Sequence, residues 1–402
     1  MAKIIIVGGS LGGLFAANLL HHRGHEVTVL EKVVGSLDGR GAGIVTHPSL
    51  MQALTLCGIK TDNNIGVPVD RRVTLDQLGN DIAEMTLPQI LTSWSKLYHL
   101  LKENLPSHLY LDGKSVKALD QDDNSSTVHC EDGTSYTGDL VIASDGLRSS
   151  VRNLLAPDVV PEYAGYVAWR GVCDEHLLSK LSLTTLFETF GFGLPPGEQI
   201  LGYPVAGSNN NIQPGFRRYN FVWYRKTSDA ELIDLLTDAD GNYYPQGISP
   251  IKVSWRNLAK IRDAARKTLA PQWAELLEKT ALVFFQAIYD VYSEKIAFHR
   301  IGLMGDASFV ARPHVGMGVS KAAEDAMCIC DVIDQYGANA EALRAYEKIR
   351  LPVGQRVIER ARYLGEYMTE QGQEELKKDL PGIAKRVMLE TAVDISKQLQ
   401  EA

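Results

Sequence analysis

The sequence of 402 residues is poor in cysteine and contains only Cys57, Cys130, Cys173, Cys328 and Cys330. These cysteines form no CxxC pair, and no histidine stands beside them at the spacing of a zinc site. An odd and scattered set is typical of reduced thiols. We therefore expect neither a disulfide framework nor a metal centre.

Long apolar runs and an excess of positive charge are also missing. No stretch approaches the ~20 apolar residues of a membrane span, and the N-terminus lacks the pattern of a signal peptide. Lysine and arginine number 41 against 49 aspartates and glutamates, a formal net charge of −8, which disfavours binding to a nucleic-acid backbone. These absences predict a cytoplasmic protein that binds neither membranes nor nucleic acid.

A glycine-rich turn stands at the start of the chain. The apolar run Lys3–Val7 predicts a buried parallel strand, and Leu11–Arg23 predicts a helix that follows it after Gly8. Amide groups at such a helix start favour a pyrophosphate. Glu31 stands about 20 positions downstream, as expected for a carboxylate that binds a ribose hydroxyl. Ser10 replaces the middle glycine of the usual pattern, and a βαβ turn without a ligand is the alternative interpretation.

Two further strand ends carry an aspartate. Leu140–Ala143 predicts a buried strand just before Asp145, and Ile301–Met304 predicts another just before Asp306. A carboxylate at the carboxyl end of a parallel strand lies at the ligand crevice of an open α/β sheet. A glycine-led segment then opens a helix that reaches about Tyr336. Each feature alone is an ordinary turn, but the three together in this order predict one dinucleotide site.

In this combination the sequence resembles the para-hydroxybenzoate hydroxylase-like, group A flavoprotein monooxygenases over residues 1 to about 365, and most closely the members that hydroxylate dihydroxypyridines. The resemblance rests on Gly8-Gly9-Ser10, Gly43-Ile44-Val45, the stretch Tyr163–Gly171, the stretch Asn220–Tyr224, and Arg312-Pro313-His314. It implies FAD as cofactor and NAD(P)H as a transient reductant. Reduced flavin and dioxygen would form a C4a-hydroperoxide that hydroxylates an aromatic ring. The chain departs from the wider family at Trp94 and Ser320, where an arginine and an asparagine are common.

The expected fold is α/β, a Rossmann-like FAD-binding domain with an inserted substrate domain built on an antiparallel β-sheet. The predicted FAD-binding domain is discontinuous and comprises residues 1–70, 94–160 and 295–365. Residues 71–93 and 161–294 are predicted to form the substrate domain. A break at Pro381-Gly382 is expected in the C-terminal helical segment, 366–402, where Leu376–Leu399 is interpreted as a solvated tail rather than an interaction helix. One helix is expected over Trp255–Leu277.

The candidate site residues follow from the motifs and the resemblance. The expected cofactor-binding residues are Gly8, Ser10, Leu11, Gly13, Glu31, Lys32, Gly43, Asp145, Asp306, Pro313, Val315, Gly316, Met317 and Gly318. Histidine suits a general base near neutral pH, and the two candidates are His314, which we favour, and His47. Each of them has a structural role as its alternative. Candidate substrate contacts are Tyr166, Arg170, Phe221 and Trp223, for which ordinary sheet packing is the alternative.

Three functions remain open from the sequence. The first is hydroxylation of a hydroxylated N-heteroaromatic ring such as a dihydroxypyridine, with NAD(P)H and molecular oxygen. The second is a group A monooxygenase for a phenolic or larger polycyclic, drug-like substrate. The third is a flavin-binding module without turnover. A homodimer is kept open as its assembly.

Overall fold

The computed structural model describes residues 1–37, 43–61, 65–368 and 378–393. The strands are β1 (Lys3–Val7), β2 (Glu26–Leu30), β3 (Gly43–Val45), β4 (Val67–Leu75), β5 (Asp81–Ser93), β6 (Tyr110–Leu111), β7 (Val116–Gln121), β8 (Ser126–Cys130), β9 (Ser135–Gly138), β10 (Leu140–Ala143), β11 (Glu162–Asp174), β12 (Thr189–Gly193), β13 (Gln199–Val205), β14 (Arg218–Lys226), β15 (Phe284–Tyr292), β16 (Ala297–Phe298), β17 (Ile301–Leu303) and β18 (Phe309–Val310). The α-helices are α1 (Leu11–His22), α2 (Pro48–Leu56), α3 (Trp94–Asn104), α4 (Ser150–Leu155), α5 (Lys180–Leu186), α6 (Asp229–Leu235), α7 (Trp255–Thr268), α8 (Pro271–Lys279), α9 (Gly318–Tyr336), α10 (Ala340–Gly365) and α11 (Leu380–Glu390).

A six-stranded sheet has the order β16-β17-β10-β1-β2-β6. All neighbours pair in parallel except β16 and β17. Ile4, Ile5 and Ile6 of the central strand are fully buried, because α1 packs on one face of the sheet and a three-stranded sheet of β7, β8 and β9 packs on the other. The carboxyl ends of β2, β1, β10 and β17 therefore lie side by side at one edge. This order confirms the expected Rossmann-like architecture.

A nine-stranded sheet has the order β18-β15-β11-β14-β13-β12-β4-β5-β3. Its pairs are antiparallel apart from β12 with β4, so the expected antiparallel sheet is confirmed. One face packs on α7 and α8 through Trp223 and Trp273. The two edge strands, β3 and β18, come from ranges predicted to belong to the FAD-binding domain. The proposed domain boundaries stay a prediction, but this sheet spans them.

One expectation about helices was wrong. The helix expected over Trp255–Leu277 is broken between α7 and α8, because Pro271 has no amide hydrogen to continue the first helix and instead starts the second. The break expected at Pro381-Gly382 is found just before it, since Lys378 is helical, Asp379 is not, and Pro381 lies in the first turn of the new helix α11.

The C-terminal segment is also not a solvated tail over the part that the structure describes. Ile383, Ala384, Val387 and Met388 of α11 are buried against the nine-stranded sheet. The ends of the predicted helix Leu376–Leu399 fall outside the described residues. In the described ranges, no helix is long and apolar enough to cross a membrane.

Candidate active site

The glycine-rich turn after β1 borders a cleft of about 790 Å³. Gly8 has a φ of +102°, and its amide donates to the Leu30 carbonyl at 2.8 Å. A Cβ at Gly8 would lie 2.4 Å from the Ser144 carbonyl oxygen, and one at Gly13 would lie 1.9 Å from the Gly8 carbonyl oxygen. Only glycine allows this close approach of two strand ends and a helix. The expected residues Gly8, Ser10, Glu31, Lys32 and Asp145 line this cleft, while Leu11 and Gly13 lie buried behind it.

Glu31 sits at the end of β2 and is only 6% exposed. Its carboxylate accepts hydrogen bonds from the amides of Gly9 at 2.8 Å and Val33 at 2.9 Å. These amides keep the turn and the β2 end together while the carboxylate still borders the cleft. Glu31 thus lines the cleft at the strand end, and its contact with a ribose hydroxyl stays a prediction.

Asp145 borders the same cleft on the opposite side. Its carboxylate accepts from the Ser149 hydroxyl at 2.6 Å and from the Val151 amide at 3.2 Å. Ser149 in turn caps α4 by accepting from the Arg152 amide at 2.9 Å. Burial raises the pKa of Asp145. The capping network fixes the carboxylate at the carboxyl end of β10.

A second cavity of about 1070 Å³, open to solvent, lies between the two sheets. Residues predicted to bind the cofactor line one side of it: Gly43, Asp306, Pro313, Val315, Gly316, Met317 and Gly318. The four parallel strand ends thus bring the three sequence motifs to two neighbouring cavities. Each cavity has backbone groups of glycine turns along one wall.

A buried charged network supports the Asp306 turn. The Asp325 carboxylate accepts from the Gly305 amide at 2.9 Å, and the Lys321 ammonium donates to Asp325 at 2.8 Å. Arg350 donates to the other Asp325 oxygen at 2.7 Å. These cations hold the pKa of Asp325 below its ordinary value although the side chain is buried. The sequence analysis missed this network; the spacing of Lys321 and Asp325, one helical turn apart, was its only local signal.

The loop before α9 is held from the far side by a predicted histidine. Gly316 has a φ of +63°, and the Nε2–H of His47 donates to its carbonyl at 3.0 Å. His47 is 2% exposed and lies behind the loop rather than among the residues that line the cavity. The amides at the start of the 19-residue helix α9 therefore face the cavity at a fixed place.

His314 lies in a chain of buried hydrogen bonds. Its Nδ1–H donates to Gln199 Oε1 at 3.0 Å, so that its Nε2 accepts from the Tyr166 hydroxyl at 3.0 Å. Tyr166 also contacts Arg312, whose guanidinium pairs with Asp290 at 3.0 Å. Burial lowers the pKa of His314 to about 3. A neutral histidine with both nitrogens engaged orients the loop and is poorly suited to take a proton from a ligand in the cavity.

The nine-stranded sheet supplies the other wall of the cavity. Arg170, Tyr203 and Tyr224 line it, and they share one face because Arg170 pairs with Val222 and Tyr203 with Asn220. The Arg170 guanidinium acts on both tyrosines and lowers their pKa against the larger effect of burial. Burial still raises the pKa of Tyr224 to about 12, so both hydroxyls stay protonated at neutral pH.

Arg170 faces this cavity without an acidic partner. Among the described residues no carboxylate forms a salt bridge with it, and its Nε is buried without a hydrogen-bond partner. Arg170 and Tyr166 lie on the same face of β11, but only Arg170 lines the cavity, and a substrate contact by either stays a prediction. A half-buried guanidinium of this kind favours an anionic ligand.

The prediction of Phe221 and Trp223 as substrate contacts was wrong. Both side chains belong to the core on the opposite face, where Trp223 pairs with Trp169 in the sheet. Successive residues of a strand alternate between faces, and the neighbours Val222 and Tyr224 face the cavity instead. When a strand has aromatic residues on both faces, its sequence does not show which face is turned towards the ligand.

The sequence analysis did not include Asn220 or Tyr203 among the candidate site residues, although Asn220 begins one of the stretches that carry the resemblance. The Asn220 Oδ1 accepts from the Gly43 amide at 3.2 Å, and a Cβ at Gly43 would lie 2.3 Å from the Tyr203 ring. The expected role of Gly43 beside the cofactor is therefore accompanied by a packing role. These contacts join β3 to the substrate wall of the cavity.

Comparison with known proteins agrees with this arrangement. Residues 1–173 match a family described as FAD binding domain, and residues 163–290 match one described as FAD binding domain-like. The chain is 30% identical over 354 residues to 2,6-dihydroxypyridine 3-monooxygenase of Paenarthrobacter nicotinovorans, covering 88% of each chain. It is 26% identical to 6-hydroxynicotinate 3-monooxygenase of Bordetella bronchiseptica, covering 88% of this chain and 89% of the relative.

Solved structures show the same fold. The structure of 2,6-dihydroxypyridine-3-hydroxylase from Arthrobacter nicotinovorans superposes with a TM-score of 0.86 at 27% identity, covering 92% of this chain and 93% of that one. HpxO of Klebsiella pneumoniae, crystallised with FAD and uric acid, has a TM-score of 0.75 at 22% identity over 99% and 95% of the two chains. The chain belongs to the FAD-dependent aromatic monooxygenases of group A. It is therefore an enzyme that uses FAD, with NAD(P)H as the usual reductant of such monooxygenases.

The residues present fit FAD. A Cβ placed at Gly146 or Gly318 meets nothing within 4 Å, so the backbone there is open to a ligand. Glu31 and Lys32 line the first cleft, and Asp306 is exposed in the second cavity. Acidic groups for ribose and ribityl hydroxyls, and helix-start amides for anionic groups, thus occur at the places that this dinucleotide requires.

Proposed function

We propose that this enzyme hydroxylates a small, hydroxylated N-heteroaromatic ring such as a dihydroxypyridine, with FAD, NAD(P)H and molecular oxygen. The observation that supports this most is the unpaired Arg170 guanidinium beside the hydroxyls of Tyr203 and Tyr224. A ring with an acidic hydroxyl and further polar edge atoms matches one cation and two neutral phenols. The relatives named for a dihydroxypyridine and a hydroxynicotinate support the same class.

The size of the substrate follows from what else the cavity has to hold. The flavin ring would lie along the wall that includes Gly43 and Pro313. The opposite wall is crowded by large side chains, among them Phe190, Tyr203 and Tyr224. The room that remains favours a single aromatic ring over a polycyclic one.

Bound FAD supplies hydride acceptance from NAD(P)H and the activation of dioxygen for transfer to the ring. The role of Arg170 is to stabilise the deprotonated hydroxyl of the substrate, which lowers the pKa of that hydroxyl and makes the ring more nucleophilic. The ring can then bind as its anion without a carboxylate or a neutral histidine at the cavity that removes the hydroxyl proton. Tyr203 and Tyr224 orient the ring by donating hydrogen bonds to it.

The two histidines act by positioning in this proposal. His314 orients the Pro313–Gly318 loop through Gln199 and Tyr166, and His47 fixes the Gly316 carbonyl. The assignment of either histidine as general base remains a hypothesis, and it predicts that the pH dependence of turnover follows that histidine. A positioning role predicts lower coupling without a change in the shape of the pH profile.

The direct test is turnover of a substrate panel by the FAD-loaded enzyme. NAD(P)H oxidation and hydroxylated product are measured together for 2,6-dihydroxypyridine, 6-hydroxynicotinate, 3-amino-4-hydroxybenzoate, simple phenols and a polycyclic phenol. We expect coupled product with a hydroxypyridine and weak coupling with neutral phenols. Coupled product from the polycyclic phenol alone would support the alternative substrate class. No ring-stimulated NAD(P)H oxidation at all would support a flavin-binding module without turnover.

A further inference from the structure

The described part of the C-terminal segment, residues 378–393, reaches the catalytic cavity. Helix α11 packs on the nine-stranded sheet through Ile383, Val387 and Met388. After the helix, Thr391 and Ala392 line the same cavity as Arg170 and the predicted flavin-binding loop. The chain therefore returns to the active site over 70 residues after the start of α9.

A single buried arginine holds the end of this segment. Arg72 is 0% exposed and donates to the carbonyls of Met388 at 2.5 Å, Thr391 at 2.6 Å and Ala392 at 3.1 Å. Carbonyls at a helix end lack intrahelical partners and carry the negative end of the helix dipole, so a cation is favoured there. Gln89 accepts from Arg72 and donates to the Ala392 carbonyl at 3.0 Å.

Arg72 has no other charge partner that explains its burial. Within the ranges that the structure describes, no carboxylate pairs with it, and its guanidinium lies over the Phe190 ring at 4.7 Å from the centroid. A buried cation without a counter-ion is costly unless its hydrogen bonds are satisfied. The carbonyls of the C-terminal segment satisfy most of them, so Arg72 and the docked segment stabilise each other.

The docked segment touches the loop that carries the flavin-facing glycines. The Ala392 amide donates to the His314 carbonyl at 3.0 Å, and a Cβ at Gly316 would lie 2.6 Å from the Ala392 Cβ. Ala392 has a φ of +51°, a conformation that a non-glycine residue keeps only where its surroundings hold it. The contact is therefore a fixed part of the cavity wall.

We propose that residues Asp379–Ala392 form a wall of the catalytic cavity that limits the size of the aromatic substrate, with Arg72 as its anchor. This inference rests on the proposed function and deepens it, because it identifies the element that excludes rings larger than one. Thr391 and Ala392 are its specificity-determining residues. Arg72 is a positioning residue, since it acts only through the segment.

The test compares Arg72→Met with the matched control Arg71→Met in FAD-loaded enzyme. Arg71 is the neighbour on β4, but it is exposed and pairs with Glu84 at the surface. Amide hydrogen exchange of residues 379–392, FAD affinity, and the ratio of kcat/KM for a two-ring hydroxyquinoline to that for a one-ring hydroxypyridine are measured. We expect faster amide exchange in residues 379–392 of Arg72→Met. We also expect the ratio to rise about 10-fold, because one apolar contact in a pocket typically discriminates between two substrates by about that factor or more.

A second variant tests the wall without releasing it. Thr391→Leu adds side-chain volume at the cavity, and we expect kcat/KM for the one-ring substrate to fall about 10-fold while FAD affinity is kept. The inference is overturned if Arg72→Met releases the segment with an unchanged ratio, or if Thr391→Leu leaves kcat/KM unchanged. If Arg72→Met does not fold, the Thr391→Leu result decides. If the wild-type enzyme turns over phenols only, the proposed function fails, and the ratio of two-ring to one-ring phenols still tests the wall.

Discussion

The two walls of the catalytic cavity differ in what they are made of. The wall proposed to face the flavin consists largely of backbone, at Gly43 in β3 and at the Gly316 turn, whereas the wall proposed to face the substrate consists of side chains such as Arg170 and Tyr224 on a sheet. Backbone turns need glycine at fixed positions, which leaves a pattern in the sequence. On a sheet, every second side chain faces the cavity. When aromatic residues occur on both faces, the sequence does not show which set of alternate residues faces the cavity.

The largest expected effect is the loss of FAD affinity in Gly8→Ala. The substitution places a Cβ 2.4 Å from the Ser144 carbonyl oxygen at a φ of +102°. Such strain costs about 1–3 kcal/mol before the clash is counted, so FAD should bind at least about 100-fold more weakly. Fluorescence titration with FAD measures this. Gly133→Ala is the control, because its φ of +83° imposes similar strain in open space, and it should leave FAD affinity unchanged.

The substrate-facing side is tested next by Arg170→Met. Loss of a hydrogen bond to a charged group is worth about 1.5–3 kcal/mol, so kcat/KM for an anionic hydroxypyridine should fall about 10- to 150-fold. FAD affinity should not change, since Arg170 lies on the opposite wall. Steady-state kinetics with Arg170→Lys should show partial recovery. An unaltered kcat/KM for Arg170→Met would contradict substrate-anion binding at this position.

A smaller effect separates the two faces of β14. Tyr224→Phe removes a hydroxyl in the cavity and should raise KM about 5-fold, consistent with one neutral hydrogen bond. Phe221→Leu, on the core face, should lower the free energy of unfolding by about 1 kcal/mol with no change in KM. Kinetics and chemical denaturation of both variants measure this. A higher KM for Phe221→Leu, with an unchanged KM for Tyr224→Phe, would instead support Phe221 as a substrate contact.

The expected effect of His314 on turnover is the smallest. His314→Gln should lower the yield of hydroxylated product per NAD(P)H and increase hydrogen peroxide, because the loop before α9 loses a support. The pH profile of kcat should keep its shape, because burial lowers the pKa of His314 to about 3. Loss of a limb of that profile near pH 6–7 in the variant would instead favour the general-base hypothesis.

Folding stability gives an independent readout of the same histidine. Its folded-state pKa lies below its ordinary value of 6.5, so the unfolded state binds more protons as the pH falls. Its contribution is fully present above pH 6.5 and is lost between pH 6.5 and 3, by up to about 1.4 kcal/mol per pH unit. Denaturant unfolding across this range should show a shallower acid loss in His314→Gln. An identical slope in both proteins would show that His314 titrates normally.

The sequence predicted the dinucleotide side well, since the first strand, Lys3–Val7, and the strand Leu140–Ala143 are observed as expected. It failed where tertiary context decides. The docking of α11 depends on Arg72, more than 300 residues earlier. Long-range partners of this kind leave no local pattern.

The comparison of the two walls assumes that both take part in the same hydroxylation reaction. The most direct measurement supplies the FAD-loaded enzyme with NAD(P)H, 2,6-dihydroxypyridine and isotope-labelled dioxygen, and follows the label in the ring product by mass spectrometry. We predict one labelled oxygen atom in the hydroxylated ring. Consumption of NAD(P)H that yields only labelled hydrogen peroxide, with every hydroxypyridine recovered unchanged, would contradict the account.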